Sequence, residues 1–151
     1  MNLLIANASK FHRLSRSDKR LLASAGFLLP VIKVGLQWLG YRKVQAILGR
    51  IPGPAAKGSL AEMIAQAQVV AWAVRVAASY DPCRSNCLPQ SLALWYLLRR
   101  RGIDGDLRFG VDPKDGKLEA HAWVEFKGLV LNDREDVSQR FAPFPLTVPP
   151  F

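Results

Sequence analysis

The stretch NCLPQSLALWYLLRRRGIDGDLRFGVD, residues 86–112, decides the fold because it changes from a helical to a strand pattern at Gly102. Its first half is apolar nearly all the way round, which predicts a buried central helix beginning at Asn86 or Cys87. Three consecutive arginines followed by glycine are typical of a helix end. Leu107–Val111 then predicts the first strand of a sheet.

The sequence before this stretch predicts three further helices, at about residues 18–39, 42–48 and 60–79. Ser17-Asp18 would cap the first, and Pro30 would bend or restart it. Ser59 with Glu62 forms a capping-box pattern at the start of the third. That helix has almost no charge, which predicts burial on most of its sides.

The sequence after residue 112 predicts antiparallel strands. Leu118–Phe126 alternates, with His121 and Trp123 on its more polar side, and Gly128 marks a hairpin from which Leu129–Asn132 returns. Helices followed by an antiparallel sheet predict the α+β class in a single domain.

The net charge of +9 lies entirely in the first part of the chain. Residues 1–57 hold ten Lys or Arg and one acid, Asp18, whereas residues 58–151 hold eleven of each sign. Any acidic partner would be steered to the first region. Nucleic acid is disfavoured because aromatic residues are not interleaved with the charges and no nucleic-acid module is evident. An acidic peptide or protein partner, or simply a solvated basic surface, fits better.

The apolar segment Leu21–Leu39 is expected to be a packed amphipathic helix, since Pro30 and Lys33 interrupt it. Contact with a membrane surface, or an export or spanning segment, stays open as an alternative. Only two cysteines occur, Cys83 and Cys87, which favours a reduced, cytoplasmic chain over a disulfide-stapled secreted one.

Three residues suggest nucleophilic catalysis. Cys87 would sit in the first turn of the central helix, where the helix dipole and free backbone N–H groups favour a thiolate. His121 lies between two alanines on a strand, and Asp133 follows the next strand, where it could orient the imidazole. Alone, the cysteine is more often plain core and the histidine a half-exposed strand residue. Zinc bound by Cys83, Cys87 and His121 would lack a fourth ligand, so neither metal nor cofactor is expected.

The hairpin register decides whether Asp133 can face His121. A two-residue loop pairs Phe126 with Leu129 and turns Asp133 away, whereas a three-residue loop pairs Glu125 with Leu129 and brings the two side chains opposite each other. An odd-length loop or a bulge is therefore expected. If Asp133 does not orient the imidazole, the alternatives are Asn132, Glu135 and Asp136. Of these, Asn132 would serve if the register is even.

Four stretches together resemble the bacterial leader peptidases of lasso-peptide biosynthesis: Cys87–Leu94, Arg99–Ile103, Ala120–Glu125 and Gly128–Asp133. The spacings of 34 residues from Cys87 to His121 and 12 more to Asp133 also match that family. The resemblance implies a transglutaminase-like, papain-related fold with a Cys87–His121–Asp133 triad and no cofactor. Within the single domain we expect a basic helical extension at 1–58, a catalytic core at 59–140 and a tail at 141–151, whose prolines predict an extended, non-helical segment.

The implied activity is ATP-independent removal of the leader from a ribosomally made precursor, in the cytoplasm. The implied partners are the precursor leader, a separate leader-recognition protein and an ATP-dependent macrocyclase. The basic first third is a hypothetical docking site for the recognition protein or for the leader. Trp123 would wall the substrate cleft, or simply pack. Acyl transfer to an amine, as in transglutaminases, and a non-catalytic scaffold or chaperone role for the macrocyclase remain as alternatives.

Overall fold

The computed structural model describes residues 15–81, 86–112 and 119–144. Within these described ranges, four helices precede a four-stranded sheet, and a short fifth helix lies between the last two strands. The elements are α1 Arg16–Leu39, α2 Tyr41–Gly49, α3 Leu60–Ser79, α4 Cys87–Arg99, β1 Asp106–Asp112, β2 Glu119–Phe126, β3 Leu129–Val130, α5 Val137–Arg140 and β4 Ala142–Pro143. This order is the predicted α+β arrangement.

The first and third helices begin at capping boxes. In α3 the box is the predicted one, Ser59 with Glu62. In α1 the cap is Ser15, whose hydroxyl accepts from the Asp18 N–H, so the expected cap at Ser17-Asp18 is wrong by two residues. Of the bend or restart expected at Pro30, the restart does not occur, since α1 is one continuous helix through it. The carbonyl that loses its partner there belongs to exposed Gly26, where water can satisfy it.

One core joins the helices to the sheet. Side chains of α1, α3 and α4 pack with residues from one face of the strands, including fully buried Ala25, Leu29, Leu92 and Val124. The segment expected to be an extension, residues 1–58, therefore contributes α1 to the main core. The outward side of α3 is exposed, at Trp72 among others, so the expected burial on most of its sides is wrong.

The sheet is antiparallel with the order β3-β2-β1-β4. Its second face is covered by a smaller cluster in which Trp123 packs with Val137 and Phe141. The tail from Phe141 is extended, as expected, in its described residues. Phe141 closes this cluster, and β4 joins the sheet where Ala142 pairs with Val111.

The hairpin after β2 has the even register. Phe126 pairs with Leu129 across a two-residue loop, in which Lys127 has φ 51° and Gly128 has φ 81°. Two left-handed residues form the turn whose twist matches the strands, which explains why the expected odd-length loop does not form. Strand β3 ends at Val130, and the Leu131 N–H makes one more bond to the Val124 carbonyl at 2.9 Å. The chain bends over 131–133, which frees Asp133 from the register.

Candidate active site

His121 and Asp133 form a hydrogen-bonded pair. Nε2 of His121, on β2, contacts Oδ2 of Asp133, on the bend after β3. The two side chains are 22% and 14% exposed, so the pair borders the surface without being freely solvated. With Nε2 held by a carboxylate, Nδ1 is the ring nitrogen left to exchange a proton with another group.

Asp133 is fixed through its other oxygen. The backbone N–H of Arg134 and the Nη2 of Arg140 each donate to Oδ1 at 2.6 Å. Burial alone would raise the pKa of Asp133, but the hydrogen bonds from Arg134, His121 and Arg140 outweigh it and hold that pKa below its usual value. The carboxylate therefore stays charged and stays aimed at His121.

Replacing Arg140 by methionine should move the acid limb of activity to higher pH. The variant keeps an apolar stem but loses the charged donor, so the pKa of Asp133 rises toward its ordinary range. The stability that the depressed pKa contributes is present above the unfolded-state pKa and lost as pH falls through the folded-state value, so acid unfolding should also begin at higher pH. The kcat/KM profile and acid titration by circular dichroism measure both effects.

Arg134→Met is the matched control for that prediction. Its side chain is exposed and only its backbone N–H reaches Asp133, so its profile should match that of the wild type. Superimposable acid limbs for Arg140→Met and wild type would contradict the role given to Arg140.

Two aromatic rings hold the imidazole plane. Phe141 stacks on His121 with ring centroids 4.6 Å apart, and Trp123 lies nearly parallel to it at 6.1 Å. Gly110 faces His121 across the strand pair, and a Cβ there would come within 3.0 Å of the Trp123 ring and 2.9 Å of Phe141. Trp123 is fully buried and donates its indole N–H to Glu125, so it packs rather than walling an open cleft.

Cys87 is the first residue of α4 and carries a free, half-buried thiol. The cap residue Asn86 makes no side-chain hydrogen bond to the first turn, in contrast to the capping boxes of α1 and α3. Asn86 thus leaves first-turn backbone N–H groups beside the thiol for another acceptor.

A buried hydrogen-bond chain joins α4 to the strand that bears His121. Ser91 is fully buried; its hydroxyl donates to the Ala122 carbonyl at 2.8 Å and accepts from Asn132 Nδ2 at 2.8 Å. The Asn132 Oδ1 in turn accepts the Val124 N–H at 2.8 Å. Asn132 therefore serves the bend and the helix, and its expected role as the histidine's partner in the even register is wrong.

The other two alternatives for orienting His121, Glu135 and Asp136, do not bind it either. Asp136 pairs with the Nε of Arg140 at 3.2 Å, and Glu135 is exposed. Cys83 and His12 fall outside the described residues. Within residues 15–81, 86–112 and 119–144, no group of three His, Cys, Asp or Glu side chains is placed to hold a metal ion.

Replacing Ser91 by alanine should lower the free energy of unfolding by roughly 1–3 kcal/mol, because the variant leaves the Ala122 carbonyl and the Asn132 amide without their partner. The melting temperature should fall by several degrees. Ser24→Ala, at an exposed position within α1, is the control and should melt like wild type. Equal melting temperatures for all three proteins would rule out a stabilising role for this hydrogen-bond chain.

These features define a class of protein: an α+β domain whose central helix begins at a cysteine and whose antiparallel sheet presents a histidine–carboxylate pair. The chain belongs to the transglutaminase-like superfamily, whose sequence profile matches residues 28–145. Such folds typically support cysteine peptidase or acyltransferase chemistry. No curated protein matches the chain significantly. No solved structure does so either.

Proposed function

We propose that this protein is a cysteine peptidase that removes the leader from a lasso-peptide precursor. In this proposal Cys87 is the nucleophile, His121 the general base and acid, and Asp133 the residue that orients the imidazole. The observation that carries this proposal is the His121–Asp133 pair, in which Asp133 holds Nε2 of the imidazole and not Nδ1. The strand that bears His121 is hydrogen-bonded to the cysteine helix through Ser91.

The hydrogen bond from Ser91 supports nearness of Cys87 to His121. Residues four apart lie on one face of a helix, so Cys87 sits about one turn, roughly 6 Å along the axis, before Ser91 on the face that meets β2. Ser91 bonds the carbonyl of Ala122, the residue next to His121. The thiol is therefore carried toward the strand position from which the imidazole projects.

The proposed reaction is an acyl transfer in two steps. The Cys87 sulfur attacks the carbonyl at the leader–core junction while Nδ1 of His121 holds the proton and then gives it to the leaving amine. Water, deprotonated by His121, next hydrolyses the thioester and releases the leader as a carboxylic acid. Asp133 keeps a proton on Nε2 and stabilises the imidazolium between the steps.

The start of α4 would stabilise the oxyanion. The tetrahedral intermediate places a negative oxygen next to the attacked carbon, and backbone N–H groups at a helix N-terminus are suited to receive it. Asn86 leaves those groups without a side-chain cap. The resemblance of Cys87–Leu94 and Ala120–Glu125 to lasso leader peptidases supports a peptide substrate.

The superfamily suggests acyltransferase as well as peptidase activity. The chemical nature of the product distinguishes the two. The experiment is to incubate the protein with a candidate precursor peptide and weigh the products by mass spectrometry. A peptidase yields the free core peptide and a leader whose new end is a carboxylic acid. A leader joined to an added amine, with no hydrolysed leader, would instead favour a transglutaminase-type reaction.

The proposal includes a cytoplasmic setting, a separate leader-recognition protein and a downstream ATP-dependent macrocyclase. The exposed cations of α2 and the residue after it support docking of the recognition protein there. Reversing Arg42, Lys43 and Arg50 to glutamate should lower partner-supported cleavage about tenfold or more while leaving the melting temperature unchanged. Cleavage with and without the partner protein measures this.

Reversal of two exposed cations elsewhere, Arg75 and Lys127, is the control and should leave partner-supported cleavage intact. Equal cleavage by the α2 variant and wild type would remove docking at α2 without affecting the proposed chemistry of Cys87.

A further inference from the structure

Helix α1 has an exposed apolar stripe in addition to its buried one. Phe27, Val31, Val34 and Trp38 are 70%, 48%, 53% and 84% exposed. Their spacing of four, three and four residues keeps them on one face of the helix. The stripe covers three turns, about 16 Å of helix.

This stripe points away from the protein. At about 100° per residue, its centre lies about 160° round the helix from the core-facing residues Ala25, Leu29 and Ile32. A surface helix ordinarily turns charged or polar residues outward. Here both sides of α1 are apolar. Its most apolar stretch has a higher mean hydropathy than that of α3, and both helices are long and apolar enough to cross a membrane, as a core helix can also be.

Basic side chains surround the stripe. Arg16 and Arg20 fall on the same face of α1, about three and two turns before Phe27, and are exposed. Exposed Arg42 and Lys43 follow just after its far end. The one acid in residues 15–57, Asp18, is engaged by its capping box with Ser15. An open groove beside Phe27 adds Arg100 and Arg101.

We propose that the outward face of α1 docks the protein flat onto an anionic membrane surface. Large apolar side chains flanked by cations fit the boundary between headgroups and acyl chains, with the cations on the phosphates. A spanning orientation is disfavoured because the opposite face of α1, including fully buried Ala25 and Leu29, is packed into the core. The inference goes beyond the proposed peptidase activity and does not depend on it.

The test is flotation of the full chain with lipid vesicles. Wild type should float with vesicles of phosphatidylglycerol and phosphatidylethanolamine, should stay in the aqueous fraction with phosphatidylcholine alone, and should be released by rising salt. The double variant Phe27→Ser/Trp38→Ser should bind these vesicles at least about tenfold more weakly than wild type. Arg16→Gln/Arg20→Gln should likewise weaken binding about tenfold. Since these side chains are exposed, thermal melting should show all variants folded.

Leu60→Ser is the matched control, since it removes an apolar side chain, 53% exposed, from α3 rather than α1. Its flotation should equal that of wild type. The proposal is overturned if wild type stays in the aqueous fraction with the anionic vesicles, or if the Phe27→Ser/Trp38→Ser variant floats like wild type. It is equally overturned if wild type does not float but forms a dimer that this variant dissociates, because the stripe is then a protein–protein contact.

Discussion

On the proposed mechanism, Cys87→Ala should abolish release of the core peptide from its precursor, with a loss of rate on the order of 10³- to 10⁶-fold. Alanine removes the sulfur that forms the thioester while keeping a good helix former at the first position of α4. Because the reaction has no other covalent route, the oxyanion donors and the binding surface alone leave only a small residual rate. Mass spectrometry of the timed reaction measures both the leader and the core peptide.

Cys83→Ala is the control for this loss. It removes the second thiol of the chain, four residues earlier, and should leave the rate within a few-fold of wild type. If Cys87→Ala still released the core peptide at the wild-type rate, Cys87 would not be the nucleophile and the proposed mechanism would be wrong.

Asp133→Asn will lower kcat on the order of 10²- to 10⁴-fold with little change in KM. The amide keeps the shape of the side chain but cannot stabilise an imidazolium, and its NH₂ group can hold the wrong tautomer of His121. The charged donor Arg140 also loses one of its two carboxylate partners and keeps only Asp136. Steady-state kinetics with the precursor separate kcat from KM.

Asp136→Asn is the matched control for that variant. Asp136 lies on the same segment and binds Arg140, but the structure gives it no contact with His121 among the residues described. It should therefore retain most of the activity. Comparable losses in both variants would mean that Asp133 acts only by holding the segment together.

The helices and the α+β class could be predicted because caps, hydrophobic periodicity and glycines in the sequence mark where each element begins and ends. The change of periodicity at Gly102, where the structure has φ 73°, ends the central helix as expected. The pairing of Asp133 with His121 was also expected, but from a hairpin register that the structure does not have. Sequence reasoning extended a strand through residue 132, whereas the turn at Lys127-Gly128 sets the even register and the chain leaves the sheet before Asp133.

The support around the histidine could not be predicted from local patterns. Arg140 and Phe141 follow the two alternative orienting acids by only a few residues, yet nothing in their own sequence marks them, since their roles depend on a chain reversal at α5. Ser91 reads as one polar residue in an apolar helix. Its position four after Cys87 is the only local signal that it lies on the same face.

The most direct test of the central claim is the rate at which iodoacetamide alkylates Cys87, in a Cys83→Ser background, with and without His121→Ala. If sulfur and imidazole form a pair, the intact protein will be alkylated near neutral pH about tenfold or more faster than the His121→Ala protein. Equal rates in the two proteins would show that the thiol at the head of α4 does not meet the ring on β2, and the proposed catalysis would fail with it.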